Sequence, residues 1–394
     1  MRKNILFSIL SIGTNYVFPI LIIPAIISIY GLREYGWLSL MLSLSGVVVL
    51  FSNLNLENTF PSLHIDFNRH NLYGIIISRG GALALSVLLC VLFLFFSNRT
   101  AIVDFLIIVS PVSGCIIGCN FWFINKQDFK SIFIFNLTAK IFSVSLSFLS
   151  IYMKSDIVIV GLLMNSWYFF SGVMCFINAR RDLSGGKGYR INYLLKKIIP
   201  GFTSSLASLA MTLLVQPIIS LVTMNDYSVI GVYSVADKII RAIAGVFDAI
   251  NNVIYAKLSS MSNQKEKDNI ITIVFIVHST LVFVGILAAY VASRYLILFG
   301  NGKYDLNGLV LMSGAIIFVI VIGNVMSSII LFENRIFHPV SLVIMVSSLL
   351  FVSLIVLPGG DKDVFFFLRC LLIAEFTSMI CKGGLVWRKS LYCK

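Results

Sequence analysis

Apolar residues in this chain come in long blocks rather than in alternation, and short polar segments separate the blocks. A helix needs about 20 apolar residues to cross the hydrocarbon core of a bilayer. The blocks predict an all-α polytopic membrane protein of about twelve transmembrane helices. The first runs to about residue 30. The others fall at about 38–58, 74–96, 101–124, 129–152, 155–178, 198–222, 229–255, 269–292, 306–331, 337–357 and 364–386. The opening MRKNILFSIL has the basic start of a signal peptide. Its apolar run is too long for one and lacks a small-residue cleavage site, so it reads as an uncleaved first span. Pro19 and Pro24 predict a kink there. Asn53, Asn55, Glu57 and Asn58 crowd the end of the second span.

Composition agrees with the pattern. Of the 394 residues, 58% are hydrophobic and only 12% charged, about half the charge of a soluble domain. That excludes an ordinary soluble enzyme. The net charge of +13 would suggest nucleic acid if it were concentrated in one basic patch. Instead the cations sit between the apolar blocks. With Arg2 and Lys3 in the cytoplasm, nineteen of the 30 Lys and Arg fall on the inner side, six outside and five within spans. An even number of spans with both termini cytoplasmic gives that bias. The longest hydrophilic stretch, 179–197, carries six cations and a Gly-rich core near the chain midpoint. It reads as a linker between two pseudo-symmetric six-helix lobes, 1–178 and 198–394. YGWLSL from Tyr35 and IGVYSV from Ile230 lie 195 residues apart, an offset close to half the chain.

Charges inside spans are expensive and mark function or buried pairing. The basic ones are Arg79, Lys140, Lys238, Arg241 and Arg369; the acids are Glu57, Asp237, Asp248 and Glu375. Arg79 and Arg369 lie near span ends, where they could snorkel. Lys238, Arg241 and Asp248 share one helix face, and Asp237 can pair with Arg241 one turn on. Two readings fit: a cationic cavity that receives an anion, or a structural ion-pair network. The acids, with His278 in the ninth span, are candidates for counter-charge or ion coupling. Six of the seven cysteines lie in apolar runs and read as packing residues, and no spacing suits a metal. Tyr30, Tyr35, Trp37, Trp122 and Trp387 suit interface positions; Trp167 falls near mid-span, where packing or stacking on a sugar would place it. No nucleotide-binding or hydrolase motif occurs, so no cofactor, metal or catalytic residue is expected.

Four segments then carry a resemblance. NYVFPILIIPAIISIYGLREYGWLSLMLS has a proline-bearing helix followed by a G-x-x-x-Y-G turn at Gly31, Tyr35 and Gly36. FWFINKQDFKSIFIFNLTAKIF begins at Phe121. VIGVYSVADKI begins at Val229 and holds Gly231, Tyr233, Ser234, Ala236 and Lys238. ILFGNGKYDLNGLVL begins at Ile297 and holds Gly300 and Tyr304. In order along the chain, these resemble the O-antigen polysaccharide flippases of the multidrug/oligosaccharidyl-lipid/polysaccharide exporter (MOP) superfamily. Asn125 and Lys126 depart from that pattern, standing where a glycine is common.

The resemblance implies two lobes that rock about a central cavity. It also implies movement of undecaprenyl-pyrophosphate-linked sugar repeat units from the cytoplasmic to the periplasmic leaflet of the bacterial inner membrane. Arg241, Lys238 and Lys140, with Arg79 and Arg369, are then the residues expected to meet the pyrophosphate. An O-antigen polymerase and a chain-length regulator are implied as partners. Rival readings are a drug or cation antiporter, a polymerase, a murein-precursor flippase and a scaffold. The antiporters often carry an acid in the first helix, and none occurs here between Met1 and Arg33. The polymerases have a large periplasmic loop, which the spacing of the blocks leaves no room for.

Overall fold

The computed structural model describes residues 2–54, 56, 68–96, 102–126, 128–183, 213–259, 263–293, 306–327, 337–357 and 362–392. They form helices α1 (Arg2–Tyr30), α2 (Leu32–Asn53), α3 (Arg69–Phe96), α4 (Ile102–Val109), α5 (Val112–Ile117), α6 (Asn120–Asn125), α7 (Phe129–Tyr152) and α8 (Ile157–Ala179). These are followed by α9 (Val215–Val222), α10 (Tyr227–Ser259), α11 (Gln264–Ser293), α12 (Leu306–Val325), α13 (Phe337–Val356) and α14 (Val364–Tyr392). Among the described residues, seven helical segments are long and apolar enough to cross a membrane. The protein is all-helical among the described residues. The expected linker lies, past Leu183, outside them.

Most expected spans coincide with helix to within a few residues, and 129–152 coincides with α7. The second span starts earlier than expected, because Gly31 sets the turn that launches α2. Its φ of 86° and ψ of 165° lie in a region that only glycine occupies comfortably. Arg33 and Glu34 therefore belong to the helix, not to a loop. The chain divides into two compact units, Met1–Gly231 and Val232–Lys394.

In the first unit α2 is the inner helix. Of its apolar window 78% is buried, against 28% for α3 and 33% for α7. It packs on α1, α3, α4, α5, α8 and α9. Serines on α2 reach α9 and the residues before it: Ser39 Oγ donates to Gln216 Oε1 (3.0 Å) and Ser43 Oγ to the Leu213 carbonyl (2.6 Å). Tyr35 is fully buried and Trp37 nearly so. The helix that carries them is enclosed by protein. Trp387 is 70% exposed near the end of α14.

The repeated YG and IG dipeptides meet. A side chain on Gly36 would run into the Tyr227 carbonyl, and one on Gly231 would strike the Leu32 carbonyl at 2.6 Å. Each glycine thus packs on the carbonyl four residues before the other. Small residues at such positions let two membrane helices approach backbone to backbone.

The expected fourth span is not one helix. It breaks into α4, α5 and α6, interrupted at Ser110–Pro111 and at Gly118–Cys119. Pro111 stands at the N-cap of α5, and Gly118 is extended, with φ −60° and ψ 126°. The break also lets Gly114 and Gly172 of α8 touch, Gly114 against the Tyr168 carbonyl and Gly172 against the Gly114 carbonyl. Carbonyls released in hydrocarbon need donors from the protein. Arg79 supplies them. Its Nη1 donates to the carbonyls of Cys115 (3.1 Å), Ile116 (3.2 Å) and Gly118 (2.5 Å), and Nη2 donates to Asn53 Oδ1 (3.2 Å).

In the second unit α11 packs on α12, and α14 on α12 and α13. The apolar window of α11 is only 17% buried, as a lipid-facing helix requires. Lys382 is buried within α14, with Nζ over Gly323.

Candidate functional site

The chemistry of the first unit gathers along α7. Asn136, Lys140, Ser143, Ser147 and Ser150 recur every three or four residues and are all buried. This is the usual amphipathic pattern turned inward, because the solvent outside is lipid and the polar stripe faces protein. Two of these residues join α7 to α8: Ser171 Oγ donates to Asn136 Oδ1 (2.6 Å), and Ser143 Oγ to the Leu163 carbonyl (2.5 Å). Asn165 of α8 ties the opposite side, donating to Ser45 Oγ, the Ile107 carbonyl and Ser110 Oγ, each at 3.0 Å. The stripe was visible in the sequence as polar residues at helical spacing. Asn165 gave no such signal.

Lys140 is 5% exposed at the middle of α7, and its Nζ lies 4.5 Å from the Trp167 ring centroid. Trp167 in turn lies against Tyr168, with centroids 3.8 Å apart. The ammonium borders a cavity of about 310 Å³, walled also by Pro19, Ile22, Ser143, Trp167 and Tyr168. No acidic residue lines it. Trp167 and Tyr168 also wall a second cavity of about 90 Å³, which carries Asn53, Arg79, Asn120 and Ser171.

The other expected residues sit as follows. Arg79 is 2% exposed and holds the broken span, so it does not snorkel. In the second unit Arg241 Nε donates to both carboxylate oxygens of Asp237, at 2.9 and 3.0 Å. Glu375 of α14 and Tyr233 of α10 lie within electrostatic reach of that pair. The Tyr233 hydroxyl is buried with no hydrogen-bond partner. Lys238 is half-buried on α10, and Arg369 is exposed on α14. His278 is 3% exposed; its Nδ1 is 2.9 Å from the Val274 carbonyl, so Nδ1 carries the proton and Nε2 is left an acceptor without a partner. Asp248 falls on α10 at a position whose side chain is not described, and Glu57 lies outside the described residues. The structure thus brings Lys140 and Trp167 to one cavity and pairs Arg241 with Asp237.

Past the end of α8, Lys126 Nζ meets Asp182 Oδ2 at 2.8 Å, and Trp122 Nε1 donates to the same oxygen at 3.1 Å. The Lys126 hydrogen bond holds the Asp182 carboxyl below its ordinary range. A lowered carboxylate pKa stabilises the fold above the unfolded value, and that gain is lost as pH falls through the folded value. Both groups are well exposed, so Lys126→Ala is expected to cost less than about 1 kcal/mol. That difference should shrink in acid, as read from thermal unfolding at neutral and acidic pH.

Against solved structures, a eukaryotic MATE transporter superposes with a TM-score of 0.61 at 10% identity, covering 98% of this chain and 93% of its own. An inward-facing multidrug resistance MATE family transporter of the MOP superfamily gives 0.58 at 12% identity, covering 94% and 97%. The fold is that of a MATE transporter. The several span-length apolar helices in that fold indicate a multi-pass membrane protein, and its structural neighbours are transporters rather than enzymes. In sequence the chain is 24% identical over 273 residues to a Shigella dysenteriae protein named "Putative O-antigen transporter", covering 66% of this chain and 68% of the relative. Likeness to that protein, on a MATE fold, bears out the resemblance to MOP-superfamily polysaccharide flippases. No protein-family model matches the chain.

Proposed function

We propose that this chain flips undecaprenyl-pyrophosphate-linked O-antigen repeat units from the cytoplasmic to the periplasmic leaflet of the bacterial inner membrane. In this reading twelve spans form two six-helix lobes, 1–178 and 198–394, joined by the 179–197 linker. Both termini are cytoplasmic, and alternating access moves the cargo. The observation that carries the reading is the likeness to the O-antigen transporter over 273 residues. The cations within the helices support an anionic cargo: the buried Lys140 and the partly buried Arg241, with Lys238 and Arg369, would meet the pyrophosphate, and Arg79 would contribute from the smaller cavity. Asp237, Asp248, Glu375, Glu57 and His278 would supply counter-charge or ion coupling. An inside-negative potential favours outward movement of each net negative charge by about 2.3 kcal/mol per 100 mV. An O-antigen polymerase and a chain-length regulator would act with it.

The second reading is a drug or cation antiporter, favoured by the multidrug MATE transporter among the structural neighbours. The basic balance of the chain and the absence of an acid before Arg33 weigh against a cationic cargo. The test is the lipopolysaccharide ladder of a flippase-null strain that makes the matching repeat unit. The native chain is expected to restore the ladder, Arg241→Ala at equal membrane expression to lose it, and Arg241→Lys to keep part of it. A ladder from both the native chain and Arg241→Ala removes Arg241 from the cargo site. No ladder from well-expressed native chain returns weight to the antiporter.

A further inference from the structure

Arg69 begins α3, Lys126 follows α6, Lys130 opens α7, and Arg180 and Arg181 follow α8; all five are exposed. They come from four separate stretches of chain. Yet each lies within three residues of a buried member of one apolar cluster, namely Leu72, Phe123, Ile132 or Ala179. The cluster thereby gathers the five charges at one end of the first unit. Two acids are described at this end, and both are engaged. Asp182 accepts from Lys126 and Trp122. Asp128 caps α7, accepting from the Ser131 amide at 3.2 Å and from its hydroxyl at 2.7 Å. Among the described residues, Arg69, Lys130, Arg180 and Arg181 make no ion pair. Like charges grouped without internal partners attract a counter-charge from outside the chain.

We propose that this end of the first unit is a docking face for anionic phospholipid headgroups: Lys130, Arg180 and Arg181, with Arg69, take the lipid phosphates. What lies one helical turn deeper favours a lipid over a soluble anion. Ile134 follows Lys130 by four residues and Ile177 precedes Arg181 by four, and both are exposed. Residues four apart share a helix face. On α3 the order is Arg69, Tyr73 and Ile77, the last two exposed, with the guanidinium 5.9 Å from the Tyr73 ring centroid. The same step from cation to apolar surface thus recurs on three helices, and one amphiphile satisfies both parts. Lys126 lies over Trp122 at 5.3 Å, and Tyr and Trp beside cations are typical of a membrane–water boundary. The length of α7 agrees. Its 24 residues span about 36 Å against a hydrocarbon core of about 30 Å, so its first turn falls at headgroup depth. The face is independent of what the transporter carries.

The test uses the full chain in a neutral detergent, titrated with phosphatidylglycerol or phosphatidylcholine of identical chains brominated near the glycerol. Quenching of Trp122 emission, taken as the difference between native protein and Trp122→Phe, reads occupancy. The native chain is expected to take phosphatidylglycerol about tenfold or more tightly than phosphatidylcholine. Each cation near an anionic surface contributes about fivefold. Arg181→Gln alone should therefore lose about fivefold, and Lys130→Gln, Arg180→Gln and Arg181→Gln together should bring the two lipids within about twofold. Arg180→Lys with Arg181→Lys should keep the preference. Arg33→Gln with Lys154→Gln is the control for net charge. Both residues are exposed at the far end of the unit, where Tyr30 bonds the Ser155 carbonyl, and the preference should not change. Equal affinity for the two lipids in the native chain overturns the face and leaves an acidic protein as the counter-charge. A preference that survives the triple variant, its fold checked by elution profile, overturns the assignment to these residues. So does a preference lost equally in the control. Displacement of the lipid by millimolar inorganic phosphate, at ionic strength matched with chloride, assigns the cations to a free anion and overturns the lipid.

Discussion

Gly36→Leu is expected to leave almost no folded transporter, and Gly231→Leu the same. At each position the added side chain meets backbone of the crossing helix, the Tyr227 or the Leu32 carbonyl, and backbone cannot rotate away as a side-chain tip can. Both helices run on from this point, so relief would mean separating α2 from the start of α10 along its length. Overpacking usually costs about 1–3 kcal/mol where side chains can shift. Here they cannot, and the cost should be about 3 kcal/mol or more even for alanine. Gly81→Ala is the control, since nothing lies within 4 Å of that position. Elution profiles of fluorescently tagged protein in mild detergent read the result: a monodisperse peak for Gly81→Ala, aggregate for the two leucine variants. A native-like peak from Gly36→Leu would mean that the crossing is looser than described.

Arg79→Leu should be the most damaging replacement of any charged residue. It removes the donor for three carbonyls of the broken span and for Asn53 at once. Each buried acceptor left without a donor costs about 1–3 kcal/mol, so the loss should be on the order of 3–6 kcal/mol, discounted where carbonyls share a replacement. Arg79→Lys keeps the charge but not the planar fork, and should recover only part. Thermal unfolding in detergent measures both. If Arg79→Leu unfolds like the native chain yet no longer restores a ladder, the residue serves cargo rather than the break.

These two expectations show what the sequence could and could not reveal. Hydropathy locates helices in lipid because every residue of a span is transferred from water, and α7 was legible to the residue. It says nothing about which side of a helix meets protein. The windows of α2 and α11 both pass as spans, yet 78% of one and 17% of the other is buried. Nor does hydropathy register a break that stays apolar. Pro111, Gly114 and Gly118 were in view, but the interruption they cause is sustained by Arg79, some 30 residues earlier. Arg241 with Asp237 was legible because helical spacing alone brings them together. Lys140 with Trp167 was not, since only the packing of α7 on α8 joins them. The same spacing rule that found the ion pair also contained the polar stripe of α7, in plain sight as serines.

That stripe bears on how the protein is made. A helix entering the bilayer by itself is judged residue by residue, and a mid-span lysine adds about 2.5–3.5 kcal/mol against entry. With Asn136 and three serines on the same face, α7 is a poor candidate to leave the translocon by itself. α8 follows after only four residues, 153–156, and offers the Trp167 ring to Lys140 and the Leu163 carbonyl to Ser143. The two should therefore enter as a hairpin, with α8 acting as the escort of α7 during biogenesis.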